Sequence, residues 1–125
     1  MSRHRPIDEL HPTQLFISKE KLQGVLEWLD CDDPTYDPIP VFEYQDRWYL
    51  ADGHTRTFVL ALAGQETVTV TEDETILEEE PLYRTCIDWC EKREINVITD
   101  LVGRVVDAET YETEWIQRCQ EAASR

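Results

Sequence analysis

The stretch LADGHTRTFVLALAGQETVTV, residues 50–70, contains the pattern that decides the fold. Its first residues end an apolar, β-rich run, and the polar turn 52–56 follows at once. Apolar residues then recur at helical spacing until Gly64, which is suited to end a helix. Strict alternation over residues 67–71 predicts a strand with one buried face. The order strand, turn, helix, strand predicts an α/β unit whose last strand pairs in parallel through a right-handed crossover.

Two segments before this stretch extend the same unit. Residues 39–44 and 47–51 are rich in β-branched and aromatic residues and are joined by two polar residues. They are therefore predicted to form a hairpin. The preceding segment, residues 31–38, holds three aspartates and two prolines and is predicted to be a loop.

The N-terminal part of the chain adds a strand and a helix. Residues 7–10 read as a short strand, and a polar turn begins at His11. Ser18 is a suitable N-cap, and apolar residues behind it recur with helical spacing, so we expect a helix over residues 19–29.

From residue 81 onward the pattern becomes helical. It predicts a helix over residues 81–93, a short helix around 99–103 and a terminal helix capped by Asp107. We therefore predict an α/β (α+β) fold with a small mixed sheet in residues 1–75. The helical C-terminal extension, residues 76–125, is expected to pack on this core within a single domain.

Composition restricts the classes of function. The chain has 125 residues, of which 41% are hydrophobic, enough for the core of one domain. Its formal net charge is −15, from 27 acidic and 12 basic residues, and such a surface repels phosphate backbones, so DNA is not an expected partner. There is no run of roughly 18 apolar residues and no apolar signal core near the start. We expect a soluble cytoplasmic protein that does not bind membranes.

The four cysteines are expected to be reduced thiols, because no export signal is present. Cys86 and Cys90 are four residues apart and share one helix face, which is predicted to lie against the terminal helix that carries Cys119. Two interpretations stay open. The three cysteines are small buried core residues, or they supply three soft ligands to a zinc ion. Because a fourth ligand is not evident, we favour the core and predict no metal site.

The turn 52–56 combines residue types that bind anions. A glycine-containing turn between a strand and a helix directs backbone N–H groups and the positive helix end at one point. Gly53 permits close approach to the backbone, and Arg56 can clamp a phosphate or carboxylate through two hydrogen bonds. His54 can donate a hydrogen bond or carry a proton near neutral pH. Asp52 can orient the loop, hold a metal or act as a base.

A structural interpretation of the same residues also stays open, in which Asp52 caps the helix and Arg56 pairs with a surface acid. Two classes of function follow from these interpretations. The chain is a nucleotide- or phosphate-binding domain, or it is an acidic protein-interaction module without catalysis. In the second case the acidic surface, or the helices that carry Trp89 and Trp115, would bind a basic protein partner.

Residues 38–64, PIPVFEYQDRWYLADGHTRTFVLALAG, followed by ETVTV at 66–70, resemble the core of the ParB/sulfiredoxin-like fold. That family has a strand pair, a G-x-x-R type turn, a helix ending in glycine and a further strand. ELHPTQLFIS, residues 9–18, resembles the family's opening. The resemblance covers residues 7–71 and implies the fold more specifically than the activity, because one fold carries several functions.

Different members of this family imply different activities. In ParB-type partition proteins the turn contacts the triphosphate of CTP, which implies that Gly53 and Arg56 bind phosphate, but their helix-turn-helix has no match downstream here. In sulfiredoxins a cysteine in the turn is the nucleophile, where this chain has His54. The turn is most similar to the Asp-Gly-His-His-Arg of ADP-dependent free serine kinases. This similarity implies an acid–base role for Asp52 and phosphate binding by the rest of the turn, including Thr55.

Those kinases also use a glutamate near the opening turn, and the nearest position here is Gln14, whose amide cannot act as a base. The resemblance implies a nucleotide- or phosphate-binding domain, with weak phosphotransfer or NTPase activity left open. Its expected cofactor is ADP, ATP or CTP with Mg²⁺, because a divalent cation can bridge a polyphosphate to so acidic a chain. The expected catalytic residues are Asp52 and His54. The expected phosphate ligands are Gly53, His54, Thr55, Arg56 and Gln14.

Overall fold

Seven β-strands and six α-helices are present in the computed structural model, which describes residues 2–124. The α/β (α+β) class predicted from the sequence is confirmed. The strands are β1 Ser2–Pro6, β2 Leu10–His11, β3 Ile17–Ser18, β4 Ile39–Tyr44, β5 Arg47–Leu50, β6 Thr67–Glu72 and β7 Val105–Val106.

The helices cover the sheet and form most of the chain after residue 76. The 3₁₀ segment Ile7–Glu9 lies between β1 and β2, and a second one, Ile98–Arg104, leads from the helical region into β7. The π-helical segment Glu112–Ile116 joins the last two α-helices. The α-helices are α1 Lys19–Trp28, α2 His54–Leu62, α3 Ile76–Glu79, α4 Leu82–Lys92, α5 Ala108–Tyr111 and α6 Gln117–Ala123.

The main sheet has five strands in the order β1-β6-β4-β5-β2, and β3 pairs with β7 separately. β6 runs parallel to β4 and antiparallel to β1, while β5 runs antiparallel to β4 and parallel to β2. The expected parallel return of the last strand to the hairpin is therefore confirmed. β3 and β7 are also parallel, so the first and last parts of the chain share a small second sheet.

The hairpin between β4 and β5 forms as its sequence predicts. Gln45 and Asp46 have φ values of 53° and 64°, so both turn residues lie in the left-handed region. Two such residues make the turn whose twist matches that of paired strands. Tyr44 consequently faces Arg47 across the end of the ladder.

The predicted helix boundaries also hold closely. The Ser18 side chain accepts a hydrogen bond from the backbone N–H of Lys21 at 3.3 Å and caps α1, which ends one residue before the expected position. α2 is followed by Gly64 with φ of 91°, and the Gln65 N–H donates to the carbonyl of Leu60 at 3.0 Å. This left-handed glycine satisfies the last carbonyls of the helix.

The prediction of a strand over residues 7–10 is wrong, because Ile7–Glu9 forms a 3₁₀ turn and the strand begins at Leu10. Pro6, which lacks an N–H, ends β1 just before this turn. The turn joins the two edge strands of the sheet through only three residues, and the four Cα-to-Cα steps from Pro6 to Leu10 span about 14 Å at most. Five strands laid flat would separate those edges by about 19 Å. The sheet must therefore curl.

The helical segment after residue 76 shares its core with the sheet. Cys86, Cys90 and Trp115 belong to the same buried cluster as Leu10 and Leu60. The cysteines of residues 2–124 are free thiols, and no group of three His, Cys, Asp or Glu side chains within this range could hold a metal ion. None of the helices in the described range is long and apolar enough to cross a membrane.

Candidate functional site

The turn between β5 and α2 requires a glycine. Gly53 has φ of 75° and ψ of 22°, in the left-handed region, and occupies the N-cap position of α2. A Cβ at this position would lie 2.8 Å from Ile39 Cδ1 and 2.9 Å from Arg56 Nη2. Both the backbone conformation and the lack of space therefore exclude larger residues.

The N-terminus of α2 is open to a ligand. Within residues 2–124, no side chain caps it, so the interpretation of Asp52 as a helix cap is wrong. The Thr57 N–H donates to the Gly53 carbonyl at 3.0 Å and begins the helical bonding. The N–H groups of the turn before it are the ones that a helix N-terminus offers to an anion.

A cavity of about 490 Å³ lies at this helix end. All six residues predicted from the sequence, Gln14 and residues 52–56, line it. Lys21 and Trp28 of α1 line it as well, together with Tyr111. Its size is that of a small-molecule site. The structure therefore brings the predicted residues together, whereas their roles stay predictions.

His54 forms the buried part of this cavity. It is only 2% exposed, and its Nε2 accepts a hydrogen bond from the Thr13 N–H at 2.9 Å. The Thr13 hydroxyl in turn donates to the Leu50 carbonyl at 2.6 Å, which fixes the opening turn against the end of β5. Because Nε2 is an acceptor, the ring hydrogen of the neutral imidazole is on Nδ1.

The protonation state of His54 differs from one sequence expectation. Burial lowers its pKa to about 3, an effect that the nearby Asp52 opposes and Lys21 reinforces. The imidazole is therefore neutral near pH 7, with a single ring hydrogen, and of the two roles expected from the sequence only hydrogen-bond donation remains. Its Nδ1 has no hydrogen-bond partner among the described residues. A buried donor without a partner is costly, so a ligand acceptor atom that reached this N–H would remove that cost.

Arg56 connects the cavity to the acidic loop. Its Nη1 donates to the backbone carbonyl of Asp37 at 2.9 Å. Across residues 2–124 the ion pair within 4 Å is that of Lys92 with Asp88, so Arg56 does not pair with a surface acid as the structural interpretation expected. One hydrogen bond uses part of the guanidinium, which has five N–H donors in a planar fork. The others remain for a ligand.

Gln14 and Tyr111 form another wall of the cavity. The Tyr111 hydroxyl donates to Gln14 Oε1 at 3.5 Å, and the Cys90 thiol donates to the Gln14 backbone carbonyl at 3.5 Å. Burial raises the pKa of Tyr111 to about 12, so its hydroxyl keeps its proton at neutral pH. Lys21 Nζ lies 5.2 Å from the centroid of the same tyrosine ring. This wall thus places an amide and a cation beside the turn.

The charge of the cavity is opposite to that of the protein. Its lining holds two cations, Lys21 and Arg56, and one carboxylate, that of Asp52, while His54 is neutral. The cavity therefore carries a net positive charge of one in a chain whose formal net charge is −15. Such a local excess favours an anionic ligand.

A second cavity, of about 580 Å³, lies between α4 and α6 and shares Gln14 with the first. Cys86 and Cys119 line it, and so do Glu79 and Glu80, with no lysine, arginine or histidine among its described lining residues. Although it is larger, its charge disfavours phosphate. The cavity at α2 is therefore the candidate site.

Sequence reasoning missed the contribution of α1 to this cavity. Lys21, Gly24 and Trp28 recur at intervals of three and four residues and so lie on one stripe of the helix. Two sequence signals could have indicated that α1 contributes: Gly24 lies inside a predicted helix, and Trp28 lies on the polar side of that helix. Tyr111 was likewise not predicted as a site residue, and it lies both in the core cluster and in the cavity wall.

Comparisons with known proteins show no family. No protein-family model matches the chain, and no curated protein matches it. Among solved structures, the chain is similar to the crystal structure of protein Atu1540 from Agrobacterium tumefaciens, with 23% sequence identity and a TM-score of 0.47. The match covers 76% of this chain and 48% of that chain, so this chain spans about half the length of its structural neighbour. A likeness of this size transfers no function.

Proposed function

We propose that the cavity at the N-terminus of α2 binds a nucleotide or another phosphate compound. The observation that carries this proposal is the convergence of hydrogen-bond donors and positive charge at one helix end. Arg56 and Lys21 both belong to the cavity lining, His54 contributes a buried Nδ1–H without a partner beside them, and the helix N-terminus is uncapped within the described residues. Phosphate oxygens are the acceptors that such a set suits best.

The same proposal includes the ParB/sulfiredoxin-like fold. The order of the hairpin, the glycine turn, α2 and the parallel strand β6 supports it. The proposed cellular compartment is the cytoplasm, where nucleotides are abundant and the four free thiols would stay reduced.

A Mg²⁺ ion fits the site only together with phosphate. Asp52 is exposed and is the one carboxylate among the described residues that line the cavity. Mg²⁺ is usually held by one or two carboxylates together with substrate phosphates and water, which agrees with a single aspartate. Asp52 and the phosphate oxygens would hold the ion, which would neutralise phosphate charge.

Any turnover would depend on Asp52. Gln14 cannot accept a proton as a base, and His54 is neutral at physiological pH because of its burial. His54 would donate a hydrogen bond from Nδ1, and Asp52 is left as the candidate base for weak phosphotransfer or NTPase activity. We therefore propose nucleotide or phosphate binding as the main function, with slow phosphotransfer or NTPase activity as a second one.

The alternative of a protein-interaction module would place a basic partner on the acidic surface or on the helices that carry Trp89 and Trp115. Trp115 is buried and packs edge-on against Trp89, so exposed apolar side chains elsewhere would have to supply apolar contacts. Leu26, Leu62 and Val102 are each more than half exposed. Single apolar side chains at a surface are common and need no partner to explain them. We therefore favour the cavity over a protein-binding surface.

A thermal-shift assay tests the proposal. We expect ADP, ATP, CTP or pyrophosphate, with Mg²⁺, to raise the melting temperature, since a ligand at 100 times its Kd stabilises the folded state by about 2.7 kcal/mol. Arg56→Ala should remove most of the shift. Arg93→Ala changes an exposed arginine outside the cavity and should retain it. Melting temperatures that do not respond to millimolar concentrations of any of these compounds would contradict the proposal.

A further inference from the structure

We propose that Trp28 is a platform on which the base of a bound nucleotide stacks. This inference rests on the proposed function and adds to it the class of ligand. The site would take a nucleoside di- or triphosphate in preference to an inorganic or sugar phosphate. The phosphates of the bound nucleotide would contact the N-terminus of α2, and its base would contact α1.

The exposure of Trp28 is the first observation. Trp28 is 53% exposed although it lines the cavity. The other three tryptophans are covered: the Arg5 guanidinium lies 3.9 Å from the ring centroid of Trp48, and Trp89 packs edge-on against Trp115 at 5.9 Å. Bases stack on such open aromatic faces, and the contact tolerates any base because each has a π face.

Gly24 is the second and independent observation. It lies inside α1, where glycine weakens a helix, and a Cβ at this position would meet no atom within 4 Å. Packing within the described residues therefore does not require a glycine here. Gly24 precedes Trp28 by four residues, so the two lie one turn apart on the same face. The missing side chain leaves a space beside the indole that a flat base can enter.

The arrangement of charge along α1 agrees with this orientation. Lys21 lies one turn before Gly24 on the same stripe, and α1 packs on α2, whose N-terminus carries Arg56. A ligand in this cavity would have cations around its phosphates and the indole beside its base. The volume of about 490 Å³ lies in the range of small-molecule sites.

Titration calorimetry with ADP and with pyrophosphate, each with Mg²⁺, tests the inference. We expect wild-type protein to bind ADP more tightly than pyrophosphate. Trp28→Ala should weaken ADP binding roughly 5- to 150-fold, because the stacking contact is lost. The affinity of Trp28→Ala for pyrophosphate should stay within about twofold of the wild-type value. Trp28→Phe should recover part of the ADP affinity, because an aromatic ring is restored. Gly24→Leu should fill the space and weaken ADP binding selectively.

Leu26→Ala is the matched control, since Leu26 is an exposed apolar residue of the same helix that does not line the cavity. It should leave both affinities unchanged. The inference is overturned if wild-type protein binds ADP no more tightly than pyrophosphate, or if Trp28→Ala weakens neither compound or both equally. In those cases the phosphate site itself still stands. If wild-type protein binds neither compound, the proposed function fails and the inference fails with it.

Discussion

Replacement of Gly53 by alanine should be the most destabilising of the glycine substitutions in this chain. The left-handed backbone at φ of 75° costs an alanine about 1–2 kcal/mol. The new methyl group would also lie 2.8 Å from the Cδ1 atom of the fully buried Ile39, and overpacking of this kind costs about 1–3 kcal/mol. Together these terms predict that the free energy of unfolding falls by about 2–5 kcal/mol.

Urea denaturation of three alanine variants separates the two terms. Gly64 has φ of 91° but open space around it, so Gly64→Ala should lose only the backbone term of about 1–2 kcal/mol. Gly24 is helical and also open, so Gly24→Ala should raise the free energy of unfolding by about 0.5–1 kcal/mol. The expected order of stability is Gly24→Ala, wild type, Gly64→Ala and then Gly53→Ala.

The result that refutes the packing argument is equal destabilisation by Gly53→Ala and Gly64→Ala, since the contact with Ile39 would then have no effect. A Gly53→Ala variant as stable as wild type would refute the left-handed conformation at the start of α2. Gly53 and the first residues of α2 line the cavity, so the same measurement also tests the geometry of the proposed site.

Three further predictions concern side chains near the two cavities. Arg56→Ala should weaken pyrophosphate binding about 10- to 100-fold by calorimetry, and Arg56→Lys should recover part of the affinity; an unchanged affinity of the alanine variant would contradict the clamp. Arg56→Ala should also lower the free energy of unfolding by about 1 kcal/mol, because the hydrogen bond to the Asp37 carbonyl is lost. The pKa of His54 is about 3 in the folded protein and about 6.5 unfolded, so the unfolded state binds more protons between these values and the free energy of unfolding decreases as the pH is lowered through that window. Between pH 7 and 5 wild-type protein should lose about 2 kcal/mol more than His54→Gln in urea denaturation; equal losses would refute the buried neutral imidazole. Iodoacetamide should alkylate Cys119 before Cys86, as read by peptide mass mapping, because the hydrogen bond between their thiols lowers the pKa of Cys119 and raises that of Cys86; the reverse order would contradict this bond.

The sequence predicted those elements whose signals are local. The hairpin, α2 and β6 follow from alternation, helical spacing and Gly64, all of which depend on neighbouring residues. β1 was missed because Ser2–Pro6 is polar and shows no alternation. β1 forms by pairing with β6, which lies more than 60 residues away in the sequence. No local pattern contains the information that this pairing occurs.

The residues of the candidate site also fall into two groups, those that a local motif predicts and those that only tertiary packing brings to the cavity. The glycine, histidine and arginine of the turn are adjacent in sequence, so their common cavity was predictable from one motif. The stripe of α1 with Trp28 faces the cavity only because α1 packs on α2, and its spacing alone does not show this. The depressed pKa of His54 likewise results from burial by distant segments, including the contact from Thr13.

The pairing of β1 with β6 has a consequence for synthesis on the ribosome. Pro6 pairs with Thr67, so about 60 residues must be added before the first strand meets its partner. At about 5–20 residues per second the strand waits roughly 3–12 s with its backbone donors and acceptors unpaired. Arg3, Arg5 and Pro6, the last residue of β1, are features that discourage such a strand from pairing with another chain. The two arginines thus suit a strand that is synthesised long before its partner and is paired late.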